Sequence, residues 1–203
     1  MVHNYKEDVE KTGIEIGQAI KNTETGQWES DIKYKGGDLL FSTPRLKKVE
    51  DFLIFKISHK KRFLEFLEDV EVKMIETLFD NSKSLFKGKK FTLEKIKNSL
   101  TPGIEIDDKG VVYLYTSNSK NLKCFNTFSD EIPIEKVKED VSAVVKLEKI
   151  TFNKDLYTLN YVITHLKMTK IEKPENISFN TDQIKEIFSN EQEEEKTEGD
   201  FFE

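Results

Sequence analysis

Phe63, Phe66, Leu67, Val70, Met74 and Leu78 recur at three- and four-residue spacing, which is one face of an amphipathic helix. The apolar runs on either side of it are shorter and strand-like. DIKYKGGDLLFSTP (31–44) reads as a strand, a Gly36-Gly37 turn and a second strand stopped by Pro44. VEDFLIFKIS (49–58) is a third strand-like run, rich in Phe and Ile. Beyond the helix, VVYLYT (111–116) and LKCFNTF (122–128) flank the polar turn Ser117-Asn118-Ser119-Lys120 as a hairpin. A second pair, VSAVVKLEKITF (141–152) and LYTLNYVITHLKM (156–168), flanks Asn153-Lys154-Asp155. A parallel sheet needs a crossover of a dozen or so residues for each strand, and only the one helical segment is long enough. Strands in neighbouring hairpins around a single helix suit a mainly β, α+β architecture. The order predicts an OB-fold-like barrel of five to seven strands with one long helix inserted between them.

Finer expectations follow from local chemistry. The long helix should end near Asp80-Asn81-Ser82, and a short second helix should start at an N-cap Thr92 and stop at Thr101-Pro102-Gly103. In the last strand Tyr157, Leu159, Tyr161 and Ile163 alternate against Thr158, Asn160 and Thr164. Residues 1–30 are mostly polar and read as a loosely ordered lead-in. The barrel domain should span 31–172, followed by a linker with a short helix at 173–190 and an acidic tail at 191–203.

Charge is segregated along the chain. Of 38 Asp and Glu against 32 Lys and Arg, the segment 191–203 holds seven acids and a single base, Lys196. Residues 1–190 therefore keep 31 of each and are neutral, so the whole net charge of -6 lies in the last thirteen residues. Two rings, Phe201 and Phe202, sit almost at the end of that segment. With one cysteine, Cys124, an intrachain disulfide is impossible and a reducing intracellular compartment is expected. The polar start MVHNYKEDVEKTG has no signal-peptide core, and no run of about 18 apolar residues occurs, so no membrane association is expected.

Little points to catalysis. His3, His59 and His165 fall in no metal-binding spacing, Cys124 reads as a buried inert thiol, and no phosphate loop or nucleophile elbow is present. No enzyme activity, cofactor or metal is expected. Bases interleaved with aromatics are the stronger signal, because ammonium and guanidinium groups neutralise phosphates while ring faces stack on unpaired bases. The candidates are Lys33, Lys35, Arg45, Lys56 and Lys123 for phosphates, with Tyr113, Tyr115, Phe125 and Tyr161 for stacking. Lys47, Lys48, Lys60, Lys61 and Arg62 belong to the same basic segment as Arg45 and Lys56, and FKGKKF (86–91) forms a further cluster. Aromatics in an acidic segment can anchor in an apolar pocket while the acids meet a basic rim. Glu193, Glu194, Glu195, Asp200, Phe201 and Phe202 are the candidate docking residues. The same anions could compete with nucleic acid for the cationic surface.

YKGGDLLFSTP (34–44), the pair VSAVVKLEKITFNKDLYTLNYVITHLKM (141–168) and the tail EEEKTEGDFFE together resemble the single-stranded DNA-binding proteins of T-odd bacteriophages and of nucleocytoplasmic large DNA viruses. The resemblance implies a non-catalytic OB-fold protein that coats single-stranded DNA in replication, recombination and repair. It also implies a tail that contacts polymerase or helicase-primase, and it leaves room for a homodimer, within an infected cell's cytoplasm, replication site or nucleus. The competing reading is an acidic-tailed interaction or chaperone-like module that does not touch nucleic acid.

Overall fold

Two long antiparallel strands organise the molecule. In the computed structural model, which describes residues 2–49, 54–57, 59–86, 88–137, 140–153 and 156–169 (Lys48 and Val49 by backbone alone), the strands in chain order are as follows. Before the helix come β1 (Val2–Asn4), β2 (Ile14–Ile16), β3 (Ile20–Lys21), β4 (Trp28–Tyr34), β5 (Gly37–Ser42), β6 (Leu46–Val49) and β7 (Ile54–Lys56). After it come β8 (Leu100–Thr101), β9 (Ile104–Ile106), β10 (Val112–Tyr115), β11 (Ser117–Phe125), β12 (Asp140–Asn153) and β13 (Leu156–Met168). The helices between are α1 (Lys61–Leu85) and α2 (Leu93–Ser99).

β12 pairs with β13 along its whole length. Its other edge is shared in turn by β4, β5 and β6. Strand alternation sends Val141, Ala143, Val145 and Leu147 into the core. Register shifts at Val144/Val145 and Leu147/Lys149 insert one residue in β13 and then one in β12, and bend the pair. From β6 the sheet continues through β7 and β10 to β9, and from β13 it continues to β11 and β8. The result is mainly β with one long inserted helix, as the alternation implied. The ladder is not closed: β8 pairs with β13 and β9 with β10, and Pro102-Gly103 interrupts the pairing between them.

α1 covers the inner face of this curled sheet. Phe63, Phe66, Leu67, Val70, Met74 and Leu78 are all buried, the face that the period marks out. Phe41 of β5 packs edge-on to Phe66 at 5.2 Å and near Tyr161 of β13 at 6.2 Å between ring centres. α1 runs a turn beyond Asp80-Asn81-Ser82, where these polar residues find partners without leaving the helix: Asn81 Nδ2 donates to the Thr77 carbonyl at 2.9 Å, and Asp80 pairs with Lys11 at 2.9 Å. Thr92 caps α2, its hydroxyl accepting from the Lys95 amide at 3.2 Å.

Two expectations are corrected. Residues 2–30 are no loose lead-in. β1 adds in parallel to β5, Val9 is fully buried, and the Tyr34 hydroxyl accepts from the Glu10 amide at 3.2 Å. These strands are two to three residues long and use non-local partners, so no local pattern announces them. The proposed 111–128 hairpin also does not exist. β10 pairs with β7 and β9, while β11 starts already at Ser117 and lies parallel to β13. Ser117–Lys120 are strand, their polar side chains facing outward on an edge. The β4–β5 turn is present but one residue earlier than the Gly36-Gly37 expected: Lys35 (φ 49°) and Gly36 (φ 77°) take the positive φ of a two-residue hairpin turn, and Gly37 already pairs with Tyr34. The linker helix and the acidic tail lie outside the described residues.

Gly103 is buried against Tyr161, and its amide donates to the Glu71 carboxylate of α1 at 2.9 Å. A Cβ at residue 103 would overlap the Tyr161 ring. Gly103→Ala should therefore cost about 1–3 kcal/mol by overpacking and lower the melting temperature by several degrees. An unchanged melting temperature would mean that the ring and the bend are not in contact.

Candidate nucleic-acid interface

The outer face of the sheet follows directly from strand register. Lys47 of β6 is opposite Lys56 of β7, which is opposite Tyr113 of β10, which is opposite Glu105 of β9. On its other side Lys47 is opposite Asp140 of β12. One pleat further, Leu46 faces Val141, which puts Arg45 beside Ser142; Ser142 is opposite Lys167, and Lys167 is opposite Phe125 of β11. In the next row Val144 is opposite His165, and His165 is opposite Lys123. The intervening residues Leu46, Phe55, Leu114, Cys124, Val141 and Leu166 are buried, so the named set occupies the face turned away from the core. Tyr115, 42% exposed, lies two residues beyond Tyr113 on that face.

Six of the nine candidates, Arg45, Lys56, Tyr113, Tyr115, Lys123 and Phe125, thus share one hydrogen-bonded surface. Lys47 and Lys167 extend it. Lys167 was missed because it falls in a run read only as a closing strand, although its alternation with Leu166 and Met168 was visible.

The rings are held in place. The Tyr113 hydroxyl donates to Asp107 Oδ2 at 3.3 Å, and Tyr115 is hydrogen-bonded to Glu105. Partial burial, with Asp107 beside it, raises the Tyr113 hydroxyl above the usual tyrosine range; the Glu105 hydrogen bond is the main cause of the same shift in Tyr115. Asp107 is held below the usual carboxylate range, first by the Val111 amide and then by that of Lys109. Phe125 stacks on His165, ring centres 6.3 Å apart and 9° from parallel. Among the cations, Arg45 pairs with Asp140 at 3.0 Å, and Lys167 Nζ donates to the Ser129 hydroxyl at 2.9 Å. Neither Lys56 nor Lys123 lies within ion-pair distance of a carboxylate among the described residues.

Three candidates do not belong to the surface. Tyr161 is 2% exposed and packs in the core; its place in the apolar series Tyr157, Leu159, Ile163 was the signal for that. Lys35 is tied to Glu10 at 2.9 Å beside the β4–β5 turn, which raises its pKa. Lys33 is opposite both Glu15 and Asp38, within a patch where Lys146 meets Asp38 at 3.0 Å and Lys149 meets Glu29 at 2.8 Å. That end of the sheet is charge-neutralised. The tail candidates lie outside the described residues. Among the described residues no three His, Cys, Asp or Glu side chains are grouped to hold a metal ion, and no helix is long and apolar enough to cross a membrane.

No protein-family model and no curated protein matches the chain. Among solved structures it is similar to a single-stranded DNA-binding protein from bacteriophage Enc34, at 13% identity and a TM-score of 0.47, over 84% of this chain and 99% of that one. A C-terminal truncation of the phage protein matches at 13% and 0.47 over 80% and 98%, and its complex with single-stranded DNA at 14% and 0.44 over 80% and 99%.

The depressed Asp107 pKa gives a pH prediction. A carboxyl whose folded pKa is lowered stabilises the fold above its unfolded value, and that contribution is lost as pH falls through the folded value. The 107–111 turn should therefore stay intact until the pH is below the free aspartate value of about 3.9. The Val111 amide shift, followed by NMR, should titrate with a midpoint below that figure; a midpoint at or above it would contradict the hydrogen-bonding account.

Proposed function

We propose that the outer face of β10, β7, β6, β12, β13 and β11 binds single-stranded DNA, and that the protein coats unpaired DNA without catalysing a reaction. The observation that supports this is the register itself: Tyr113, Tyr115 and Phe125 share one surface with Arg45, Lys47, Lys56, Lys123 and Lys167. Duplex DNA offers its bases only at groove edges, whereas an unpaired strand can lay base faces on rings and phosphates on nearby cations. Hydroxyl anchoring of Tyr113 and Tyr115 reduces the ordering cost when bases stack. Roles in replication, recombination and repair, and a place in the T-odd phage and large-DNA-virus group, belong to the same proposal.

The acidic segment 191–203 fits two roles in this scheme. Its net charge of -6 competes with phosphates for the cationic face. Its Phe201 and Phe202 offer anchors to replication proteins such as a polymerase or helicase-primase.

In a fluorescence titration with mixed-sequence single strands, log K should fall with log salt by about 0.7 per phosphate neutralised. Tyr113→Ala and Tyr115→Ala should each weaken binding by about 1–3 kcal/mol, the value of a stacked base. Lys56→Ala should lower the salt slope by roughly one phosphate's share. Lys33→Ala should change neither; equal losses from Lys33 and Lys56 would contradict the assignment of the face. Deleting 191–203 should tighten binding at low salt and matter less at high salt, where exposed charges are screened beyond about 10 Å at 0.1 M. An affinity unchanged by the deletion would remove the competition.

A further inference from the structure

A second aromatic site lies away from the β10–β7–β6 face. The C-terminal end of α1, the start of β4 and the adjoining ends of β12 and β13 line an open cavity of about 890 Å³ that includes Trp28, Phe86, Phe91, Phe152, Tyr157 and Lys89. Among the described residues no acidic side chain is in its lining. Phe86 is the centre of the ring cluster, edge-on to Phe91 at 4.8 Å and to Phe152 at 5.4 Å, and stacked on Tyr157 at 5.4 Å. Lysines stand at the rim: Lys95 Nζ is 4.6 Å from the Phe91 ring centre, and Lys89, in the lining, is exposed. Trp28, the chain's only tryptophan, is 39% exposed at this opening.

We infer that this cavity docks the C-terminal segment of a second copy of the chain, Phe201 and Phe202 entering the ring cluster while the adjoining acids meet the lysine rim. The chemistry matches on both counts. A concave pocket whose rings pack edge-on to one another suits an inserted phenylalanine, whereas a base requires a flat ring offered outward. A rim with Lys89 and Lys95, and a lining that holds no acid among the described residues, suits a segment carrying seven acids and one base. In this chain the strongest concentration of negative charge and a pair of adjacent rings occur together, in 190–203. Docking of that segment on a neighbour would link copies in a row and withdraw its anions from the cationic face. The inference does not rest on the nucleic-acid reading, since the site and its ligand are both peptide.

Trp28 is a built-in reporter. The receptor is the full chain carrying Phe201→Ala and Phe202→Ala, and the probe is a synthetic peptide of residues 190–203. The peptide should give a saturable shift of tryptophan emission, and its double-alanine form should bind at least about tenfold more weakly. Lys89→Glu with Lys95→Glu, both exposed side chains, should weaken the wild-type peptide about tenfold while leaving the melting temperature unchanged. The emission of the unaltered chain should also move with protein concentration, as contact between copies requires. The inference is overturned by no response to the peptide, by equal responses to both peptides, or by emission of the unaltered chain that is independent of concentration. A response to oligothymidylate in place of the peptide would also overturn it and make the cavity a nucleic-acid site.

Discussion

The pairing of β12 with everything around it is the constraint on which the rest depends. A fourteen-residue strand with a continuous partner on one edge and three successive partners on the other leaves few alternative registers. A slip of one residue would turn Val141, Ala143, Val145 and Leu147 to solvent and bury Asp140, Ser142 and Val144. The core and the candidate interface are therefore two faces of one alternation. Burial of the first dictates the composition of the second, and β6, β7, β10, β13 and β11 carry the pattern outward in both directions.

This arrangement also separates the charges. Where β12 meets β4 and β5, cations and acids alternate across the ladder and pair off, as Lys146 with Asp38 and Lys149 with Glu29. Where it meets β6 and β13, the outward positions bring Arg45, Lys47, Lys167, Phe125 and Tyr113 into neighbouring rows. A chain whose first 190 residues are neutral as a whole can thus present a cationic, ring-bearing surface over part of its area. Net charge alone would have hidden it.

Much of this was legible in the order of the residues, and the failures have definite causes. The α1 period and the β12–β13 alternation are long enough for local pattern to identify the elements. β1, β2 and β3 are not, because strands of two or three residues are stabilised by partners far along the chain. The parallel docking of β11 on β13 is likewise set by burial of Cys124 and Leu122 against the core and by no turn signal. Among the site residues, Arg45, Lys56, Tyr113, Tyr115, Lys123 and Phe125 were reachable from basic–aromatic interleaving. Lys33 and Lys35 satisfied the same rule, but Glu15, Asp38 and Glu10 reach them only through strand pairing and the β4–β5 turn. Tyr161 shows the opposite error: its apolar neighbours at two-residue spacing already marked it as core.

Photo-cross-linking of the protein to oligothymidylate, with the attachment sites read by mass spectrometry, tests the central claim most directly. Attachment concentrated at Tyr113, Tyr115 and Phe125, and absent from Tyr34 and Tyr161, is the predicted map. Attachment centred on Trp28, Phe86 and Phe91, or spread evenly over rings on all sides of the sheet, would contradict it.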